Sequence, residues 1–389
     1  MKTELRERIL QTAKDMMPLF VEVREFIYDH AELGNQEFVS SQYLVDQMKK
    51  LGFTVTYPYC DLATAFRAEM VLGEGPKVCF MAEYDALPGY GPAKDQVRHA
   101  CGHNWIAAST LGAAAVLASL KDTLSGTVVL IGTPAEETMG GKCDLVNRGG
   151  FDDIDACFQM HLGAENNIEV TSLAMDSVQF DFTGKAAHAA AYPEQGINAL
   201  DAVMLTFAGI NALRQHMKPD ARVHGIVTKG GTACNVVPDQ GQCQFYIRAA
   251  KRAYLEELTE KIINCAKGAA LMTGCELEYH FFENSYDDLV YHEGLRQLLR
   301  ESLESLGVTH FIKPEGNATG STDVGNVSHR CPTVYCELDT GAFPKVYAHH
   351  ESFLDYVHTS RADHSLLVAV QAMALAAASV MQDPSILQQ

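Results

Sequence analysis

The segment His99-Ala-Cys101-Gly-His103 places one thiol and two imidazoles within five residues. It stands directly before an alanine-rich stretch that begins at Trp105 and is typical of a helix. Thiolate sulfur and imidazole nitrogen are ligands of zinc and its first-row neighbours, whereas magnesium and calcium prefer oxygen. The segment therefore predicts a metal site, although an isolated Cys-x-His motif is more often a buried cysteine beside ordinary histidines.

Two adjacent carboxylates, Glu136 and Glu137, follow the apolar run 127–133. Successive side chains at the end of a strand point in opposite directions, so one carboxylate can ligate a metal while the other faces a water molecule. That division suits metal-assisted hydrolysis, in which a free carboxylate removes a proton from the attacking water. Taken alone, such a pair is typical of a solvated loop.

Further candidate ligands stand where other apolar runs end. Glu83 and Asp85 follow one such run directly, and His161 ends another. Apolar runs that alternate with helical segments predict a parallel sheet, and ligands collect at the carboxyl ends of its strands. We expect these side chains to meet there. Either ring of the pair His349-His350 could join them, although each histidine alone would be an ordinary core or loop residue.

Apolar periodicity predicts an α/β domain that is interrupted by a smaller α+β domain. The first part reads as helices over 4–27, 40–51, 105–120 and 141–148 and strands over 53–57, 77–82, 127–133 and 155–161. The pattern then becomes that of a β-α-β-β-α-β open-faced sandwich, with strands over 178–183, 222–228, 242–249 and 275–283 and helices over 196–216 and 253–272. Helices over 292–306 and 362–381 and a strand over 333–338 follow.

We therefore expect two domains. A discontinuous catalytic domain, residues 1–176 and 289–389, would have a mainly parallel sheet flanked by helices. An inserted domain, residues 177–288, would be an open-faced sandwich that serves as a lid and a dimerisation surface.

Composition excludes several classes of partner. The formal net charge of −19 opposes binding to nucleic acid or to an anionic membrane surface. No window holds the roughly 18 uninterrupted apolar residues of a membrane span, and the charged start 1–6 lacks the apolar core of a secretion signal. Eleven cysteines without a framework indicate reduced thiols. We expect a cytoplasmic protein.

Three motifs together resemble the M20 metallopeptidase/amidohydrolase family. They are Ala82-Glu-Tyr-Asp-Ala-Leu-Pro88, His99-Ala-Cys-Gly-His-Asn104 and Thr133-Pro-Ala-Glu-Glu137. The likeness is to the subgroup of aminobenzoyl-glutamate hydrolase, the auxin-conjugate and hippurate hydrolases and the aminoacyl dipeptidase-like proteins. It extends from the first helix through 321–325 to the last helix, and it implies a metal-dependent amidohydrolase.

The resemblance implies a site for two divalent metal ions. The ligands that it implies are Cys101, shared by both ions, His103 and Glu137, serving one ion each, His161, and a histidine near the carboxyl terminus. Zinc or manganese fits such a mixed ligand set, and cobalt or nickel can replace them.

Two further roles follow from the same resemblance. Family members place the last histidine four residues before an aromatic side chain, which favours His349, four positions before Phe353, over His350. Glu136 would be the general base, and Asp85 would orient a metal ligand.

The inserted domain supplies three more residues by resemblance. His188 corresponds to a lid histidine that reaches the active site of a partner subunit and stabilises the developing oxyanion, which implies a homodimer through this domain. Asn235 and Arg248, thirteen residues apart, correspond to a pair that binds the free carboxylate of the substrate. Without the resemblance, Arg248 would be the end of an exposed strand.

The chain departs from the family pattern at two positions and in one loop. Glu83 and Asn104 stand where many relatives have aspartate, and the stretch 89–98 varies in length among relatives. These departures affect the expected loop over the site, and with it the size of the substrate.

The predicted function is hydrolysis of the amide bond of an N-acyl, aminobenzoyl or aminoacyl amino acid, or of a dipeptide, that has a free carboxylate. A non-catalytic companion subunit or binding protein with the same fold is the alternative from another class. A thiol protease built on Cys101 would leave the Glu136-Glu137 pair and His161 without a role. A single-metal enzyme is a third possibility.

Overall fold

The computed structural model describes residues 2–313 and 320–388, which form two compact units. The first unit holds residues 2–170, 289–313 and 326–388, and the second holds Thr171–Asp288 and 320–325. The predicted inserted domain covered residues 177–288, and the second unit also holds residues 171–176 and 320–325. Within that unit, the N–H of Leu173 donates to the carbonyl of Gly320 at 2.8 Å, and Arg248 donates to Oγ of Ser321 at 3.1 Å.

The elements are numbered in chain order. The helices are α1 (Thr3–Asp15), α2 (Met17–Asp29), α3 (Phe38–Lys50), α4 (His103–Ser119), α5 (Gly141–Asn147), α6 (Ala199–Leu213), α7 (Arg252–Thr273), α8 (Glu293–Ser305), α9 (Val324–Ser328) and α10 (Asp363–Gln382). The strands are β1 (Thr54–Thr56), β2 (Phe66–Val71), β3 (Lys77–Ala82), β4 (Leu87–Tyr90), β5 (Gln96–Arg98), β6 (Thr127–Gly132), β7 (Ala156–Gly163), β8 (Ala174–Thr183), β9 (Arg222–Lys229), β10 (Gln240–Ala249), β11 (Glu276–His280) and β12 (Thr333–Asp339). Short 3₁₀ helices cover Pro193–Gln195, Arg214–His216, Glu351–Tyr356, Ser360–Ala362 and Pro384–Gln388.

The first unit is built on a six-stranded sheet of order β1-β2-β6-β3-β7-β12. Strands β6, β3, β7 and β12 run parallel, and β1 and β2 are antiparallel at one edge. Every residue of β6 is buried, as a parallel strand covered on both faces requires. This arrangement confirms the predicted fold class of a mainly parallel sheet flanked by helices.

Helix α4 lies in the core of the first unit and is buried along almost its whole length. Small side chains allow its neighbours to approach closely: a Cβ on Gly112 would lie 2.6 Å from Cγ2 of Val370, on α10, and 3.2 Å from the ring of Phe20, on α2. The segment Ser360–Gln382, which contains α10, is long and apolar enough to cross a membrane, but 83% of its most apolar window is buried inside the protein. It has the burial of a core helix.

The amino-terminal helix of the prediction is two helices. Helix α1 ends at Asp15 and α2 begins at Met17, with Pro18 in the first turn of α2, where its missing N–H costs nothing. Strand β2 and the β4–β5 hairpin were also not predicted. In β2, Arg67 and Glu69 interrupt the apolar pattern and form a salt bridge with each other at 2.7 Å.

The second unit is a four-stranded antiparallel sheet of order β11-β8-β10-β9. Strands β8 and β10 pair in unbroken register from Ala174↔Ala249 to Thr183↔Gln240. Buried side chains alternate with more exposed ones along β10 and over residues 178–183 of β8, and helices α6 and α7 pack on the apolar face. This is the predicted open-faced sandwich, and strand β9 forms one of its edges.

Candidate metal centre and active site

The Cys101–His103 segment enters helix α4 through a sharp turn at Gly102. The φ of Gly102 is 87°, in the left-handed region, and His103 is the first residue of α4. A Cβ on Gly102 would lie 3.2 Å from Cγ1 of Val357 and 3.3 Å from the ring of Phe353. Both the backbone conformation and the neighbouring side chains therefore require glycine between the two candidate ligands.

Asp85 connects two of the predicted ligands. Its Oδ1 lies 2.7 Å from Nδ1 of His103, and its Oδ2 accepts a hydrogen bond from the backbone N–H of Glu137 at 2.9 Å. Burial disfavours the charged ring of His103, but the carboxylate of Asp85 outweighs it and raises the pKa of His103 well above its ordinary value. Because Asp85 engages Nδ1, Nε2 is the ring nitrogen that remains for a metal.

Two groups of three donor atoms share the thiol of Cys101. Cys101, His103 and His161 form one group, and Cys101, Glu137 and His349 form the other, with all ligand atoms of a group within 4.8 Å of one another. Sγ of Cys101 is 3.3 Å from Nε2 of His161, and Nε2 of His349 is 3.2 Å from Oε1 of Glu137. The structure thus brings the five predicted ligands together as two sets with one common member.

The chemistry of these donors fits a divalent transition metal. Nε2 of His103 is buried and has no hydrogen-bond partner among the residues that the structure describes. Burial raises the pKa of the Cys101 thiol, so a thiolate there needs a cation beside it. Burial also opposes ionisation of Glu137, but its hydrogen bond with His349 and the charge of His103 lower its pKa to about 2. A metal ion would satisfy the free nitrogen and displace the thiol proton.

Glu136 lies beside these groups on a turn that follows β6. His103, Glu136 and Glu137 offer ligand atoms within 4.8 Å of one another. The turn begins at Ala135, whose φ of 60° is in the left-handed region, and whose N–H donates to Oε1 of Glu37 at 2.8 Å. A buried carboxyl group therefore fixes the backbone that leads into the predicted general base.

His349 and His350, which the sequence left as alternatives, have different surroundings. The N–H of His349 donates to the carbonyl of Ala100 at 2.8 Å, and its carbonyl accepts from the hydroxyl of Tyr90 at 2.9 Å. Nδ1 of His350 accepts from the N–H of Ser352 and so caps a 3₁₀ helix. Of the two, His349 is the one that the structure brings to Cys101 and Glu137.

Comparison with known proteins agrees with this geometry. The model of the family "Peptidase family M20/M25/M40" matches residues 79–378. The chain belongs to peptidase family M20/M25/M40. Membership in the M20 family makes the chain a metal-dependent hydrolase, and it confirms the resemblance that the sequence motifs indicated.

Relatives of the chain in the M20 family include two curated proteins. The chain is 37% identical over 346 residues to the Xaa-Arg dipeptidase of Mus musculus, an alignment that covers 85% of this chain and 78% of that protein. It is 32% identical over 313 residues to one of the subunits of the p-aminobenzoyl-glutamate hydrolase of Escherichia coli K12, covering 77% of this chain and 64% of that protein.

A solved M20 structure shares the fold. The YXEP protein of Bacillus subtilis, described as a dinuclear metal-binding peptidase from the M20 family, superposes with a TM-score of 0.72 at 22% identity. The match covers 95% of this chain and 99% of that one.

The remaining predicted site residues, His188, Asn235 and Arg248, belong to the second unit. His188 and Val236 form an isolated antiparallel bridge, and the N–H of Ala189 donates to the carbonyl of Asn235 at 3.0 Å. The loop segments that contain His188 and Asn235 therefore lie side by side. Nδ1 of His188 accepts from the N–H groups of Ala190 and Ala191, which leaves Nε2 as the protonated nitrogen of the neutral ring. Arg248 lies on β10.

Sequence reasoning missed several polar residues that the M20 site uses as supports. Glu83 was expected at the carboxyl end of a strand and noted as a departure from the family, but its pairing with the buried Lys142 at 2.5 Å was not predicted. Gln159 donates to the same oxygen of Glu83 at 2.8 Å. Glu37 was not singled out at all. A lysine that follows two glycines at a predicted helix start was the available signal for Lys142, but nothing local to Glu37 marked it.

Proposed function

We propose that this M20 hydrolase cleaves the amide bond of an N-acyl, aminobenzoyl or aminoacyl amino acid, or of a dipeptide. The substrate has a free carboxylate. The observation that carries the proposal is the pair of three-donor groups that share Cys101, with Glu136 placed beside Glu137. The reaction types of the relatives named above, a dipeptidase and an aminobenzoyl-glutamate hydrolase, support the same substrate class.

In this proposal, residues of the first unit bind the metal ions, transfer the proton and position the ligands. Two divalent ions, held by Cys101, His103, Glu137, His161 and His349, would polarise the scissile carbonyl and make a water molecule more acidic. Glu136 takes the proton from that water on a carboxylate oxygen and delivers it to the nitrogen of the leaving amine. Asp85 holds the ring of His103 and the backbone of Glu137, so neither can rotate during the step.

The second unit binds the carboxylate end of the substrate in this proposal. The guanidinium of Arg248 forms a bidentate pair with the free carboxylate, and the amide of Asn235 donates a further hydrogen bond. The protonated Nε2 of His188 donates to the developing oxyanion of a partner subunit's substrate. The neutral tautomer that the two backbone N–H groups impose on His188 supports this role.

We propose zinc or manganese as the native metal, with cobalt or nickel as functional substitutes. One thiol, three imidazoles and a carboxylate form a ligand set of mixed softness, which several first-row ions accept.

The proposed homodimer forms through strand β9. This strand pairs with β10 on one side only, and Ile226 and Val227 are 62% and 49% exposed. An edge strand with exposed β-branched side chains is a template for pairing with another chain, and a second copy would extend the sheet. Sedimentation velocity should give a dimer for the wild type and a monomer for Ile226→Lys/Val227→Lys; a monomeric wild type would contradict the proposal.

We place the protein in the cytoplasm. None of the eleven cysteines is in a disulfide, and Sγ of Cys331 donates a hydrogen bond to Sγ of Cys157 at 3.5 Å. Reduced thiols in this arrangement suit a reducing compartment.

A hydrolysis screen tests the proposed activity. The metal-stripped chain is loaded with zinc, manganese, cobalt or nickel and assayed on N-acetyl, aminobenzoyl and aminoacyl amino acids and on dipeptides. We expect turnover by the wild type, whereas Glu136→Gln should bind the same number of ions and be slower by at least about two orders of magnitude. Metal binding without turnover on every substrate would favour the non-catalytic companion subunit instead.

Arg248→Ala tests the proposed substrate contact. Its main effect should be a raised KM for substrates with a free carboxylate, with a smaller effect on the same substrates amidated at that carboxylate. Arg222→Ala is the matched control, because Arg222 is the register partner of Arg248 on the neighbouring strand β9. Equal losses on free and amidated substrates would remove Arg248 from this role.

A further inference from the structure

Glu83 lies two residues before Asp85, and both carboxylates are directed at the ring of His103. Oδ1 of Asp85 is 2.7 Å from Nδ1 of that ring, and Oε2 of Glu83 is 3.5 Å from Nε2. Both carboxylates are buried, each with 1% of its surface exposed. Glu83 is not among the ligands that the family resemblance implies, so its position beside the free nitrogen needs an explanation.

The two oxygens of Glu83 have different partners. Oε1 accepts from Nζ of Lys142 at 2.5 Å and from Nε2 of Gln159 at 2.8 Å, so this oxygen is saturated by two donors. Lys142 is fully buried. The two donors fix the plane of the carboxylate and direct the other oxygen, Oε2, toward His103.

Several lone pairs therefore converge on Nε2 of His103. In the neutral ring with its proton on Nδ1, which is the form that can ligate a metal, Nε2 presents a lone pair, and Oε2 of Glu83 and Oε1 of Glu137 stand 3.5 and 3.8 Å from it. Acceptor atoms this close in a buried site repel one another unless a cation lies among them. The missing hydrogen-bond partner of Nε2, among the residues described, is an independent sign of the same requirement.

We propose that Glu83 is a further metal ligand of this centre, through Oε2, and that Lys142 limits how strongly the centre binds its ions. The inference rests on the proposed metal-dependent function. Lys142 contributes a positive charge next to the ligand set, which weakens the attraction for divalent cations and keeps Oε1 from ligating. Replacement of Lys142 by a neutral side chain should therefore tighten metal binding, and loss of the Glu83 carboxylate should weaken it.

The double variant Glu83→Gln/Lys142→Met provides the decisive comparison. It removes one negative and one positive charge, so the net charge of the site is unchanged, and a buried ion pair can often be replaced by neutral residues without loss of stability. Isothermal titration calorimetry of manganese or zinc into the metal-stripped chain gives the Kd and the number of ions. We expect the double variant to bind at least one ion about tenfold or more weakly than the wild type.

Lys142→Met alone should bind its ions about tenfold or more tightly than the wild type, because a buried positive charge beside the site is gone. Lys77→Met is the matched control, because Lys77 also forms a 2.5 Å ion pair, with Asp153. Lys77 lies at the start of β3, whereas Glu83 lies beyond the end of that strand. The Lys77→Met variant should bind metal with the affinity of the wild type. If Lys142→Met does not fold, the double variant and the wild type still decide the question.

Two results separate failure of this inference from failure of the proposed function. If the wild type binds two ions and the double variant binds the same two with unchanged Kd, Glu83 serves only as the partner of Lys142 and the inference is wrong. If the wild type binds no divalent cation, the metal-dependent function itself fails, and this inference falls with it.

Discussion

Glu37 is a buried carboxyl group that holds the backbone of the site. Its Oε1 accepts from the N–H of Ala135, and its Oε2 accepts from the hydroxyl of Thr64 at 2.9 Å. Burial and the nearby charge of Asp85 raise the pKa of Glu37 to about 7. A glutamate of this kind binds its proton more tightly in the folded chain than in the unfolded chain.

The raised pKa of Glu37 predicts a pH dependence of stability. Its contribution is fully present below its ordinary pKa of 4.5 and is lost as the pH rises through about 7. Because Glu37→Gln has no proton to lose, its free energy of unfolding relative to the wild type should rise between pH 5 and pH 8, by on the order of 3 kcal/mol at most.

Urea denaturation of the metal-stripped chain at several pH values measures this difference. Glu74→Gln, which removes an exposed carboxyl group, is the control for loss of one carboxylate. A difference between Glu37→Gln and the wild type that does not change with pH would show that Glu37 is not protonated in the folded chain at neutral pH.

At the scale of the elements, the close approach of α4 to α2 and α10 depends on Gly112. Its missing Cβ would lie 2.6 Å from a methyl group of Val370, a stiff β-branched side chain. Gly112→Ala should therefore lower the free energy of unfolding by about 1–3 kcal/mol despite the better helix propensity of alanine.

Gly268 is the matched control for this helix prediction. It lies inside α7, and a Cβ there would meet no atom within 4 Å. Gly268→Ala should raise the free energy of unfolding by up to about 1 kcal/mol, which is the propensity gain alone. Equal effects of the two substitutions in urea denaturation would mean that α4 is not closely packed at Gly112.

The elements that could be predicted are those with uninterrupted apolar runs. Strand β3 has the predicted bounds, and the ends of β6, β7 and α4 lie within two residues of the predicted ones. Strand β2 was not predicted, because it has charged residues where a core strand usually has apolar ones. Its Arg67 is buried and pairs with Glu69 and Asp153. Only the fold reveals that their charges are compensated.

The same distinction applies to the site. The candidate ligands follow from residue types and family motifs, and their approach to one another follows from the parallel sheet. The contacts of Glu37 and Lys142 could not be predicted, because their partners Ala135 and Glu83 lie 98 and 59 positions away in sequence. Contacts of this kind depend on which distant segments meet in the fold, and no local pattern in a single sequence indicates which segments do.

At the scale of the whole molecule, the two units have separate tasks in the proposed reaction. The first unit holds the two donor groups and Glu136, and the second holds His188, Asn235 and Arg248. The net charge of −19 favours the accumulation of divalent cations around the chain and opposes an anionic substrate. In the proposed reaction, a local cation, Arg248, retains the free carboxylate against this overall charge.

Hydrolysis by the full chain should depend on metal bound at the two donor groups that share Cys101. The full chain is stripped of metal, one divalent ion is titrated back, and ions bound per chain and the hydrolysis rate of a responsive dipeptide or N-acyl amino acid are measured on the same samples. We predict no turnover without metal and a maximal rate when both groups that share Cys101 are filled. Undiminished turnover by the fully stripped chain would show that the reaction does not use metal at these donor groups.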